Sequence, residues 1–73
     1  MAEKPDEVKK LLGVATDLEL SSELRTKAAK LIANVGTHDA LVALLDLVAN
    51  EKLTKNEREF AIKQVRELIK QVP

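Results

Sequence analysis

The sequence predicts an all-α fold of four helices, and three observations carry that prediction. Leu, Ala, Lys and Glu, all strong helix formers, dominate the 73 residues, whereas Phe60 is the single aromatic residue. Glycine occurs only at Gly13 and Gly36 and proline only at Pro5 and Pro73, so the punctuation that strands and long loops need is missing. Apolar residues also recur at the i, i+3, i+4, i+7 spacing of amphipathic helices.

The first helix opens at Pro5, whose fixed φ suits the first helical position, and runs to about Asp17, with Asp6 and Glu7 toward the positive end of the helix dipole. Its apolar stripe is Val8, Leu11, Leu12 and Ala15. A Ser21-Ser22 cap starts the second helix and Gly36 ends it, since glycine alone adopts the left-handed stop at no steric cost. Leu24, Ala28, Leu31, Ile32 and Val35 are its expected buried side. Thr37 caps the third helix, and the stretch from Ala40 to Ala49 is apolar on nearly every side, as in a helix packed between neighbours, with Leu45 expected in the core. Thr54-Lys55-Asn56-Glu57 fits a capping box. The fourth helix then runs to about Gln71, burying Ala61, Val65, Leu68 and Val72 and turning Glu59, Lys63, Arg66 and Lys70 outward.

Composition sets the outer bounds. A chain of 73 residues has room for one domain, 1–73, whose stability depends on close helix packing. Twelve Lys and Arg balance twelve Asp and Glu, so no overall field draws the molecule to nucleic acid or to an anionic membrane. The absence of cysteine excludes disulfides, thiolate chemistry and cysteine-ligated metal. No run approaches the roughly 20 apolar residues of a membrane span, and the acidic start is unlike a signal peptide; the expected location is cytoplasmic.

Sliding the sequence on itself by 33 positions pairs Pro5 to Gly36 with His38 to Ile69 without a gap. Seven pairs are identical: Asp6/Asp39, Leu11/Leu44, Leu12/Leu45, Leu20/Leu53, Arg25/Arg58, Ala28/Ala61 and Lys30/Lys63. The chain therefore divides into two units, about 5–36 and about 38–71. Leu11, Leu12, Asp17, Leu24, Arg25, Ala28, Ala29 and Ile32 in the first unit, with Leu44, Leu45, Asn50, Arg58, Ala61, Ile62 and Val65 in the second, resemble the HEAT repeat and its armadillo neighbour. The second unit departs from that pattern at Asn50, where the repeat has a turn aspartate, and at Glu57, where it has an apolar residue. The resemblance implies two stacked antiparallel helical hairpins, a short HEAT-like α-solenoid, in a family that mostly scaffolds, transports or docks other proteins.

Chemistry-bearing residues are sparse. His38 is the only histidine and lacks companions for a metal site, and the acid pairs Asp6/Glu7, Glu19/Glu23 and Glu57/Glu59 are expected as solvated surface. No phosphate loop, activated nucleophile or calcium loop is present, so the chain is not expected to be an enzyme or to hold a cofactor. Arg25 and Arg58 occupy equivalent shoulders of the apolar stripes and are expected to lie over the core and bond a turn carbonyl or carboxylate. The outward faces of the second and fourth helices carry Lys27, Lys30, Lys63, Arg66 and Lys70; the HEAT resemblance puts these helices on the concave side, which makes this basic ridge the candidate protein-binding surface.

The expected function is accordingly a non-catalytic protein-protein interaction or scaffolding module, with a protein partner or self-association. Val42 and Leu47 on the third helix are the alternative, apolar contact. Two other classes stand beside it. One is nucleic-acid binding through the basic ridge, which is argued against by Phe60 being the single aromatic residue and expected in the core; the other is a structural or engineered helical scaffold with no ligand.

Overall fold

The computed structural model describes residues 5–71, and side chains from 7 to 70. Four helices follow one another: α1 (Pro5–Ala15), α2 (Ser22–Val35), α3 (His38–Ala49) and α4 (Lys55–Gln71). No strand occurs among the described residues, and the expectation of an all-α fold holds.

Each boundary has a local cause. Ser21 Oγ accepts the Leu24 N–H at 3.2 Å and Thr37 Oγ1 accepts the Ala40 N–H at 3.2 Å, which satisfies first-turn donors of α2 and α3. Before α4 the capping box closes in both directions: Thr54 Oγ1 accepts from the Glu57 N–H at 3.1 Å, and Glu57 Oε1 accepts from the Thr54 N–H at 3.0 Å. At the end of α2, Gly36 takes φ 74°, the left-handed stop. Past the end of α1 the Thr16 hydroxyl donates to the Leu12 carbonyl at 2.9 Å.

The two longer turns are built alike, 33 residues apart. Asp17 Oδ1 accepts the Glu19 N–H at 3.0 Å, and Asn50 Oδ1 accepts the Lys52 N–H at 2.9 Å. The Leu20 N–H reaches the Asp17 carbonyl at 3.1 Å, as the Leu53 N–H reaches that of Asn50 at 3.2 Å. Asn50 thus does in the second turn what Asp17 does in the first, because the turn needs only a side-chain oxygen that accepts two residues on.

Helix α1 packs on α2 and α3, α4 packs on α3 and α2, and α2 meets α3, while α1 and α4 do not touch among the described residues. α2 and α3 therefore have three neighbours each. Ile32 of α2 and Leu44 and Leu47 of α3 are the largest fully buried side chains. Ala28, Ala29, Ala40, Ala43 and Ala61 surround them, and such small side chains let helix backbones approach closely.

Three expectations about burial are corrected. Leu24 and Leu31 are half exposed, and Arg25 and Ala29 lie inward instead. The cause is geometric: α2 serves α1, α3 and α4 at once, which centres its buried arc on residues 25, 28, 29 and 32. Leu45 is likewise half exposed, since α3 turns Ala40, Ala43, Leu44 and Leu47 to its neighbours. Leu47 is for the same reason interior and cannot contact a partner, whereas Val42 is exposed. Val72 lies outside the described residues.

Candidate functional site

Among the described residues, charge enters the interior at one place. Arg25, in the first turn of α2, and Glu57, in the first turn of α4, are both buried. Arg25 Nη2 and Nε donate to Glu57 Oε2 at 2.7 and 3.1 Å. Its Nη1 donates to the Leu20 carbonyl at 2.6 Å and to the Asp17 carbonyl at 3.2 Å. The other carboxylate oxygen of Glu57 is occupied by the capping box at 3.0 Å. One arginine thus ties the turn after α1 and the start of α2 to the start of α4.

Burial by itself pushes the Glu57 carboxyl up, but hydrogen bonds from Arg25, Ser22 and the Thr54 backbone, with the charge of Arg25, outweigh it and lower the group from 4.5 to about 2. At neutral pH Glu57 is a carboxylate with its oxygens engaged, so it cannot exchange protons usefully with a substrate. No buried side-chain nitrogen or oxygen among the described residues lacks a partner. The expectation that Glu57 pairs with Glu59 on a solvated surface is corrected, because Glu57 is interior. The expectation for Arg25 is met, since it bonds turn carbonyls and a carboxylate; Arg58 differs, its Nε donating at 2.7 Å to the Val48 carbonyl in the last turn of α3. A sequence signal for the Arg25 partner exists within the chain itself, since Glu57 stands 33 residues after the apolar Leu24, at the matching place in the second unit.

The ridge residues Lys27, Lys30, Lys63, Arg66 and Lys70 are all exposed. Lys63, Arg66 and Lys70 come together on α4 around a shallow depression that also includes Gln64 and Glu67; Lys27 and Lys30 of α2 lie outside it. Lys27 stands 3.9 Å from Glu23 and Lys70 stands 3.9 Å from Glu67, long exposed pairs that hold the side chains weakly.

A groove between α1 and α3 is floored by Val8, Leu12 and Ala43 and edged by the exposed His38, Asp39 and Asp46. Among the described residues no three His, Asp or Glu side chains converge as metal ligands, and no helix is long and apolar enough to cross a membrane. Large apolar side chains stand half exposed on every helix: Val14 on α1, Leu24 and Leu31 on α2, Val42 and Leu45 on α3, Ile62 and Ile69 on α4. Compared with family models, curated proteins and solved structures, the chain matches none.

Proposed function

We propose that the chain is a non-catalytic protein-interaction module, two HEAT-like hairpins stacked as a short α-solenoid. The order of helix contacts, with α1 and α4 apart and α2 in touch with all others, is what stacking one hairpin on another produces, and the matching turns support the same arrangement. The observation that carries the interaction role is the surface itself: eight large apolar residues, Leu18 included, are at least 40% exposed on a molecule this small. The engagement of the interior polar groups with one another supports the non-catalytic half of the reading.

Photocrosslinking in cells tests it. A photoreactive residue at Leu31 or Ile62 should yield adducts with a second polypeptide that re-form from purified components, and one at the exposed Lys10 should not. Equal adduct yields from the three places would overturn the reading.

The depression around Lys63, Arg66 and Lys70 favours a second contact, an acidic segment of a protein partner held on the basic ridge. Affinity there should fall with salt, because surface charges are screened over about 8 Å at physiological ionic strength. Reversing Lys63 and Lys70 to Glu should weaken that binding and leave the melting temperature nearly unchanged; unaltered affinity for a partner found in this way would reduce the ridge to a solvated face.

A further inference from the structure

We infer that the chain binds a second copy of itself head to tail, the open α3–α4 face of one copy taking the open α1–α2 face of the next and continuing the seam between its own hairpins. The inference rests on the interaction-module reading and names its partner.

The seam inside the chain has two halves. Ala15, Arg25, Thr26 and Ala29 of the first hairpin receive Leu47, Leu53, Glu57 and Phe60 of the second. Moving the receiving half forward by the repeat length of 33 gives Val48, Arg58, Glu59 and Ile62. Those four residues line one open groove at the α3–α4 face, together with Lys55. The receiving half of the seam therefore exists twice, once filled and once open.

The inserting half is also duplicated. Moving it back by 33 gives Val14, Leu20, Leu24 and Lys27. Val14 is 40% exposed where its counterpart Leu47 is 2% exposed, and Leu24 is 46% exposed where Glu57 is 8% exposed. Leu31 continues this face at 50%, against 8% for its counterpart Gln64. On the receiving side Ala29 is 4% exposed and its counterpart Ile62 is 40% exposed. Each hairpin leaves open the surface that its equivalent has covered.

Side-chain chemistry across the projected contact is complementary. Thr26 and Phe60, both in the internal seam, correspond to Glu59 and Lys27, which carry opposite charges. Apolar Val14 and Leu24 meet apolar Val48 and Ile62. One place differs: the Arg25–Glu57 pair becomes Arg58 facing Leu24, with Glu23 one residue earlier, so the contact lacks the charge-assisted bonds of the internal seam. Association is therefore weaker than the internal packing, and because the two faces differ it builds rings or open chains of copies.

Sedimentation of the purified full chain over a range of concentrations tests this. Wild type should associate past the dimer. Leu24→Glu should tighten association by about tenfold or more, because it gives Arg58 of the next copy the carboxylate that Arg25 already has. That gain should vanish when Arg58→Glu is added. Leu31→Lys and Ile62→Lys, each blocking a different face at an exposed position, should be folded monomers alone and form a one-to-one dimer when mixed. The inference is overturned if wild type stays monomeric or stops at a dimer, if Leu24→Glu weakens association or leaves it unchanged, or if the mixture does not pair. Crosslinks from Leu31 or Ile62 to a different protein, with a monomeric pure chain, would sink this inference and leave the interaction-module reading standing; equal crosslinking from all positions would sink both.

Discussion

Glu57 shows how one residue does two jobs. One oxygen closes the capping box of α4 and the other binds Arg25 on α2, so the start of one helix and the contact between hairpins depend on the same carboxylate. Its folded-state pKa is depressed from 4.5 to about 2, so its contribution is fully present above the unfolded value and is lost as pH falls through about 2. By linkage that contribution is about 3 kcal/mol at neutral pH. Denaturant titrations should show wild type losing stability steeply from about pH 5 to pH 2, and Glu57→Gln with a visibly shallower slope over that range. Truncation is harsher than loss of charge. Glu57→Ala leaves Arg25 buried without its anion and should cost about 3 to 5 kcal/mol, whereas replacing both residues by apolar ones of similar size should cost far less. A double change as damaging as the single one would mean that the pair is not the source of the loss.

At the scale of the helix, the existence and order of all four elements and the N-terminal caps of α2, α3 and α4 were legible, because capping is written in residues a few positions apart. Ser21, Gly36, Thr37 and the Thr54–Glu57 box each act where the sequence puts them. The inward faces were less legible. A stripe such as Leu24, Ala28, Leu31 and Val35 says that a helix has an apolar side, but α2 has three neighbours and its buried arc follows their placement, which local periodicity does not encode. Leu44 and Leu45 illustrate the consequence, being adjacent, identical in type and opposite in fate. Leu44→Ala should cost about 2 to 5 kcal/mol through lost burial and the cavity left behind, and Leu45→Ala under about 1 kcal/mol, as read from urea midpoints. The two glycines separate in the same way. A methyl group on Gly13 meets nothing within 4 Å in the exposed last turns of α1, so Gly13→Ala should stabilise by about 0.5 to 1 kcal/mol. Gly36→Ala also finds room, with its nearest neighbour 3.9 Å away, yet should destabilise by about 1 kcal/mol because φ 74° is strained for alanine.

For the molecule as a whole, the basic ridge was legible only as a list of exposed residues; which of them share a depression, and the presence of two open seam faces, depend on how the hairpins stack. That stacking also governs how the chain comes apart. Stability in a stacked array is the sum of what each unit holds alone and what each interface adds, and units this small hold little alone. α2 and α3 touch every other helix and contain Ile32, Leu44 and Leu47, while α1 and α4 each have two neighbours and α1 has only 11 residues. Opening of α1 exposes Val8 and Ala15 but leaves the contact of α2 with α3 and the Arg25–Glu57 pair in place. Loss of α2 or α3 removes the core itself. Native-state amide exchange should therefore be slowest near Ile32, Leu44 and Leu47, at the free energy of global unfolding, and faster throughout α1, which opens by a smaller step with a shallower denaturant dependence. Glu57→Gln should bring the exchange of α2 and α4 closer together with that of α1 by weakening the link between hairpins. Uniform protection across all four helices would instead show that the chain opens only as a single unit, with the interface no weaker than the hairpins it joins.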